Sequence, residues 1–298
     1  MTSNWQEVPE AGSGAAIRFV VWIARVLGRT LLHIVLAPIA AYFMVTRGAD
    51  RRASRDYLTR VLERPPRLGE IFRHFYTFAR VIADRIYFIS GNTSGIDVQV
   101  YGAEPLQELV DRGEGGIVLS AHLGSFEAAR VLGAEVRGVV LRMVLDKRIN
   151  QNLVTGLESV NPEFSAAIID LNQAPATLAL DISGALKKGE WIGFLSDRTT
   201  ADGRTETVDF LGSPARFAVG PLLIAAMFKV PLISMFSLYR DGGYEVHCEI
   251  LSSAVDVPRA QRTEALRGYL GEFVNRLEKY VRMAPFNWFN FFDFWENR

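Results

Sequence analysis

The chain contains the segment GIVLSAHLGSFE at residues 116–127, and the rest of the sequence is organised around it. The run Ile117 to Leu119 is short, apolar and preceded by glycines, which predicts a buried β-strand. Ser125 is a residue type favoured at helix N-caps, so residues 126–132 are expected to form the first two turns of a helix. His122 is therefore expected at the carboxyl end of a strand, where open α/β sheets bind their ligands.

His122 and Glu127 suit acyl transfer to a hydroxyl group. A neutral imidazole has a pKa near the working pH, so it can accept the proton of an attacking alcohol. Glu127 follows five residues later. If the turn folds it back, it can accept the other ring N–H and fix the tautomer. On spacing alone, the alternative is a hydrogen-bonded histidine at a strand end and an unrelated carboxylate in the first turn of a helix.

The stretch SAHLGSFE resembles the H-x4-D/E signature of the lysophospholipid acyltransferase superfamily. Within it, the chain is similar to the bacterial lipid A biosynthesis (lauroyl/myristoyl) acyltransferases, and segments at 139–150, 191–198 and 208–217 agree in order and spacing. The resemblance covers most of the chain from about residue 15 onward. It implies transfer of a fatty acyl chain from acyl carrier protein or coenzyme A to a lipid hydroxyl. It also implies a location at the cytoplasmic face of the bacterial inner membrane, a role in lipopolysaccharide synthesis, and neither a metal nor another cofactor.

The same resemblance implies further binding residues. In lipid A acyltransferases the strand after the histidine helix leads into an arginine-containing turn that contacts a phosphorylated substrate or donor. Lys147 and Arg148 match that turn, and Arg142, inside the strand, is a further candidate. Asp197 and Arg198 match an Asp-bearing loop, although other members often have glutamine or histidine around the aspartate. The alternatives are a solvated turn for the first group and a surface salt bridge for the second.

Composition excludes several classes of protein. The 298 residues are 49% hydrophobic, and 33 basic residues equal 33 acidic ones, which argues against a nucleic-acid-binding protein. The single cysteine, Cys248, rules out an intramolecular disulfide and is expected to be a packed or idle thiol. The sequence has no nucleophile elbow, P-loop or H-E-x-x-H motif, and its four scattered histidines do not suggest a zinc site.

The amino-terminal region is basic and apolar, which suggests contact with an anionic membrane surface. Residues 11–60 carry eight arginines and two aspartates. The uncharged part, residues 30–46, would be roughly 26 Å long as a helix, whereas a spanning helix needs about 20 residues. This favours helices that lie in or dip into the cytoplasmic leaflet over a full crossing. A helical hairpin buried against the domain is the alternative.

These observations predict an α/β protein with a central mixed β-sheet flanked by helices. Residues 1–14 are expected to form a disordered tail, residues 15–90 a helical membrane-associating segment, and residues 91–298 the acyltransferase domain. Seven aromatic residues between 286 and 295 are expected to border the acyl site, lie at the bilayer interface or close the core.

Two other functions remain open from sequence. The acceptor of the acyl chain is either lipid A or a specialised lipid such as an aryl polyene or ornithine lipid. A protein of another class is also compatible, namely a membrane-associated protein that keeps the fold without catalysis.

Overall fold

The computed structural model of the chain describes residues 14–131, 135–146, 167–198, 203–257 and 262–295. The tail predicted at residues 1–14 falls outside these ranges, apart from Gly14.

The α-helices are α1 (Gly14–Thr46), α2 (Gly48–Leu62), α3 (Leu68–Ser90), α4 (Ala103–Asp111), α5 (Pro175–Lys187), α6 (Gly220–Phe228) and α7 (Arg262–Met283). The strands are β1 (Val98–Tyr101), β2 (Gly116–Ser120), β3 (Leu141–Leu145), β4 (Ile168–Asp170), β5 (Trp191–Leu195), β6 (Thr205–Phe210), β7 (Ser213–Ala218), β8 (Leu232–Arg240) and β9 (Gly243–Ser252). A short 3₁₀ helix, η1, covers Phe126–Val131.

The central sheet has seven strands in the order β1-β9-β8-β2-β5-β3-β4. It is mixed, as the sequence predicts, because β8 and β9 pair antiparallel while the other neighbours are parallel. A tight turn between Arg240 and Gly243 joins that antiparallel pair. Strands β6 and β7 form a separate antiparallel ribbon.

Helices cover both faces of this sheet, and β2 contributes to two core layers. Ile117 and Leu119 pack in one cluster, with side chains from α6 and α7. Val118 points the other way and packs in a second cluster with α4 and part of α3. Successive side chains of a strand face opposite sides, so a central strand covered by helices on both sides is apolar throughout.

The pairing of β2 with β5 positions the functional site. The two strands are parallel, and Ser120 at the end of β2 is in register with Leu195 at the end of β5. The backbone N–H of Ser196 donates to the carbonyl of Ser120 at 2.8 Å. The residues that follow the two strands therefore emerge side by side at the carboxyl edge of the sheet.

From Gly28 onward, helix α1 has one buried and one exposed face. Its backbone leaves helical geometry at Gly28 (φ 73°, ψ 175°). Leu32 and Leu36 are buried against α3, in a cluster that includes Ala83. The opposite face exposes large apolar side chains at Leu31, Ile34, Tyr42 and Val45.

Polar contacts also hold α1 on α3. The buried carboxylate of Asp84 accepts from both Nε (2.9 Å) and Nη2 (2.7 Å) of Arg29 and lies 2.9 Å from Nε2 of His33. The hydroxyl of Tyr244 also donates to Asp84, at 2.9 Å. In the described part of the chain, residues 28–46 form a helix long and apolar enough to cross a membrane, a test of length and composition that core helices and signal sequences also pass.

Candidate active site

A tight turn after β2 brings His122 to the carboxyl edge of the sheet. Gly124 has a φ of 67°, and a Cβ atom there would overlap the carbonyl of Ser237 in β8. The backbone N–H of Gly124 donates to the carbonyl of Asn287 at 2.8 Å, and that of Ser125 donates to Ser237 at 3.1 Å. The turn is thus fixed from two sides, and only glycine fits its tightest point.

Replacing Gly124 with alanine is expected to destabilise the protein by about 2–4 kcal/mol, because left-handed strain adds to overpacking. Gly91 is a matched control, since its φ is 72° and a Cβ there meets nothing within 4 Å. Urea unfolding of the two variants measures the difference. Equal losses of stability in Gly124→Ala and Gly91→Ala would contradict the tight contact with Ser237.

Asp197 is the carboxylate that holds His122. Nδ1 of the imidazole lies 2.8 Å from Oδ1 of Asp197. The backbone N–H of His122 donates to Oδ2 of the same carboxylate at 3.0 Å. Because a carboxylate only accepts, Nδ1 carries the proton in the neutral imidazole, and Nε2 keeps its lone pair.

The surroundings shift the pKa values of both groups. Asp197 is 3% exposed and also accepts from the indole Nε1–H of Trp288 at 2.8 Å. Burial raises the pKa of this carboxyl, but His122, by charge and hydrogen bond, and Arg198 outweigh it and lower the pKa to about 2. The side chain of His122 retains 27% exposure. Loss of hydration, followed by the charge of Arg198, lowers the pKa of His122 against the opposing effect of Asp197.

Glu127 does not make the contact that the sequence predicts. Its Oε1 accepts from Nε of Arg85 at 2.7 Å, and Nη2 of Arg85 approaches the same oxygen. Its Oε2 accepts from the hydroxyl of Ser125 at 3.2 Å, and that hydroxyl oxygen accepts from the N–H of Ala128, which confirms Ser125 as a cap. The pairing of Glu127 with the imidazole is thus corrected to a pairing with Arg85. The physical reason is that β5 places Asp197 beside Nδ1, while the short η1 turn carries Glu127 towards α3.

The other predicted residues divide into three groups. Arg198 lies at the site, where Nη2 donates to the carbonyl of Phe289 at 3.3 Å. Arg142 lies away from the site, because it pairs in register with Ile192 near the amino end of β5. Nε of Arg142 donates to Glu190 at 2.5 Å. The substrate contact expected of Arg142 stays a prediction. The predicted substrate contacts at 147 and 148 lie outside the described residues.

The aromatic tail closes the site from the carboxyl end of the chain. Trp288 is fully buried, forms an isolated bridge with Leu123, and packs its ring 4.9 Å from that of Tyr57. The N–H of Phe289 donates to the carbonyl of His122 at 2.8 Å. His74, on α3, lies 2.9 Å from the carbonyl of Trp288, and burial lowers its pKa to about 4, so this ring is neutral. The tail therefore closes the core, one of the outcomes expected from sequence, and lies against His122 and Asp197.

Sequence reasoning missed two parts of the site. The relation of Asp197 to His122 was detectable, since each follows the end of its strand by two residues. Arg85 was detectable as a cation on the apolar helical face that carries Phe78 and Ile82, at spacings of four and three residues.

The chain offers neither a reactive cysteine nor, among the described residues, a metal-binding cluster. Cys248 is buried, and burial raises the pKa of its thiol to about 12, which fits the expected packed thiol. Within the described ranges, no group of three or more His, Cys, Asp or Glu side chains is placed to hold a metal ion.

Comparison with known proteins identifies the family. A search of curated proteins found no match. The family model described as bacterial lipid A biosynthesis acyltransferase matches residues 8–297, which is nearly the whole chain. With a histidine–carboxylate pair at the carboxyl edge of a mixed α/β sheet and this match, the chain belongs to the bacterial lipid A biosynthesis acyltransferase family.

Proposed function

We propose that this protein transfers a fatty acyl chain from an acyl thioester, on acyl carrier protein or coenzyme A, to a hydroxyl of a bacterial membrane lipid of the lipid A type. The observation that carries the proposal is the 2.8 Å contact between Nδ1 of His122 and Asp197. This contact leaves Nε2 as a base on a side chain that remains partly exposed.

In the proposed reaction, Nε2 of His122 takes the proton of the acceptor hydroxyl as its oxygen attacks the thioester carbonyl carbon. The tetrahedral intermediate then collapses, the carbon–sulfur bond breaks, and the imidazolium returns the proton to the leaving thiolate. Asp197 keeps the ring in the productive tautomer and stabilises the imidazolium. Arg198 supplies a positive charge next to the imidazole, where negative charge develops on the carbonyl oxygen.

Apolar side chains next to the site support a fatty acyl substrate. Phe78 and Ile82 are 36% and 41% exposed on α3. The ring of Phe78 packs 5.2 Å from that of Phe289, whose backbone is bonded to His122. Exposed apolar side chains in such a position bind a hydrocarbon chain favourably, at about 25 cal/mol per Å² of buried apolar surface.

A location at the cytoplasmic face of the inner membrane fits the amino-terminal helix. The exposed face of α1, with Leu31, Ile34, Tyr42 and Val45, suits insertion into the membrane interface. Helix α2 then presents exposed arginines at positions 52 and 55. Arginines next to an inserted apolar helix attract anionic headgroups by about 1 kcal/mol each.

The proposal is tested with the purified full-length protein, acyl carrier protein or coenzyme A thioesters, and bacterial lipid extract. We expect thiol release that depends on the lipid, together with a product whose mass exceeds that of the acceptor by one acyl chain. Mass spectrometry of lipids from a deletion strain then identifies the acceptor, either lipid A or a specialised lipid such as an aryl polyene or ornithine lipid. Absence of thiol release with every donor and extract would leave only the non-catalytic alternative.

A further inference from the structure

We propose that Arg85 binds a phosphate group of a substrate beside His122, and that Glu127 is the positioning residue that holds Arg85 for this task. This inference rests on the proposed function and deepens it. It assigns the carboxylate of the H-x4-E motif to a neighbouring arginine, and it adds a residue from α3 that lies outside every motif of the sequence.

The first argument is the position of Arg85 on α3. Phe78, Ile82 and Arg85 follow one another at spacings of four and three residues, so they share one face of the helix. Phe78 packs on Phe289, and the N–H of Phe289 donates to the carbonyl of His122 at 2.8 Å. Phe78 therefore touches the segment that holds His122, and Arg85, about two helical turns further along, meets Glu127 in η1.

The second argument is how the guanidinium is held. Nε and Nη2 of Arg85 both contact Oε1 of Glu127, while Oε2 of Glu127 is occupied by Ser125. In the described part of the chain, Nη1 of Arg85 has no hydrogen-bond partner. The side chain of Arg85 is 21% exposed and that of Glu127 only 4%. The buried carboxylate thus fixes one edge of the guanidinium and leaves N–H groups available to a ligand.

The third argument is the charge around the imidazole. Arg85 contacts Glu127, and Arg198 follows Asp197 directly and donates to the carbonyl of Phe289. The charges of both arginines lower the pKa of His122. The carboxylates nearby are engaged, since Glu127 pairs with Arg85 and Asp197 with His122. When the imidazole accepts a proton during the reaction, the local charge becomes more positive. An anion bound at Arg85 offsets that change.

Phosphate is the anion that fits both the arginine and the proposed substrates. A guanidinium with one edge fixed presents the planar N–H geometry that matches phosphate oxygens. Acyl carrier protein and coenzyme A both carry the thioester on a phosphopantetheine arm, and a lipid A-type acceptor is phosphorylated. The shared chemistry is therefore a phosphate ester, from either donor or acceptor.

The decisive variant is the neutral pair Arg85→Gln/Glu127→Gln, which removes both charges and can keep a side-chain hydrogen bond. We expect KM for the phosphate-bearing substrate to rise about 10–100-fold, the scale of a charged hydrogen bond, with kcat changed less than KM. Arg85→Lys, which keeps the charge and loses the planar fork, should fall between this variant and wild type. A purely structural salt bridge predicts wild-type KM for the neutral pair, because no buried charge is left unpaired.

The matched control is Arg282→Gln/Glu278→Gln on α7. There Nε and Nη2 of Arg282 contact Oε1 of Glu278 at 3.1 and 3.0 Å, as in the Arg85 pair, while Nη1 of Arg282 donates to Glu63. We expect its KM to equal that of wild type. Urea unfolding of both double variants separates lost binding from lost folding.

Phosphate-free substrates identify the source of the phosphate. If the donor supplies it, the KM effect disappears with an acyl-N-acetylcysteamine thioester. If the acceptor supplies it, the effect disappears with a dephosphorylated lipid A fraction. Wild-type KM for the neutral pair with every phosphate-bearing substrate, or an effect that persists when both substrates lack phosphate, would overturn the inference.

A separate binding measurement keeps this inference distinct from the proposed function. Calorimetric titration with coenzyme A and with lipid A vesicles needs no turnover. If wild-type protein shows no acyl transfer, the proposed function fails, while weaker binding by the neutral pair still supports a phosphate site at Arg85. Equal binding of both probes by wild type and the neutral pair counts against it.

Discussion

Replacing His122 with alanine should lower kcat/KM for acyl transfer by about 10²–10⁴-fold, the usual contribution of a general base. The variant loses the Nε2 lone pair that accepts the hydroxyl proton, while the fold is kept by β2 and the turn at Gly124. Steady-state thiol release with the purified protein and lipid extract measures the effect.

The pH profile of the wild-type enzyme is a second test of His122 as the general base. The base must be neutral, so kcat/KM falls as the pH drops through the pKa of His122. Because that pKa is lowered, we expect the acidic limb below the ordinary histidine value of about 6.5. His247→Gln is a suitable control, since this histidine lies on β9 and stacks on Tyr101. Full activity in His122→Ala would contradict the proposed mechanism.

Replacing Asp197 with asparagine should lower kcat by about 10³–10⁴-fold, as expected when the group that fixes the histidine tautomer is lost. The asparagine amide can donate to Nδ1, which would move the ring proton to Nε2 and block the base. Because the charge of Asp197 raises the pKa of His122, its removal should also shift the acidic limb of kcat/KM to lower pH. The pH profile and circular dichroism of the variant separate this effect from unfolding.

Glu127→Gln gives the sharpest comparison for Asp197. If Asp197 orients the imidazole and Glu127 holds Arg85, Glu127→Gln should affect KM more than kcat and should leave the acidic limb of kcat/KM near its wild-type position. A larger loss of kcat in Glu127→Gln than in Asp197→Asn would favour the pairing predicted from the H-x4-E spacing.

Local sequence patterns predicted the secondary structure because they report burial and capping directly. The short apolar run from Ile117 to Leu119 lies in the strand β2, as its pattern indicates. Ser125 caps the turn after His122, as its residue type indicates. The described part of the turn, Phe126–Val131, is a 3₁₀ helix, which is wound more tightly than an α-helix.

The sequence by itself determined the family, the mixed α/β fold, and the location of His122 at the carboxyl end of a buried strand, since these depend on motifs and periodicities within short segments. The tertiary structure alone decided which carboxylate meets the imidazole. Asp197 is 75 residues from His122 along the chain, and only the parallel pairing of β2 with β5 brings the two together. Glu127 is close in sequence but is directed to Arg85 by packing of η1 against α3. Spacing along a chain limits which residues can meet, whereas strand order and helix packing decide which of them do.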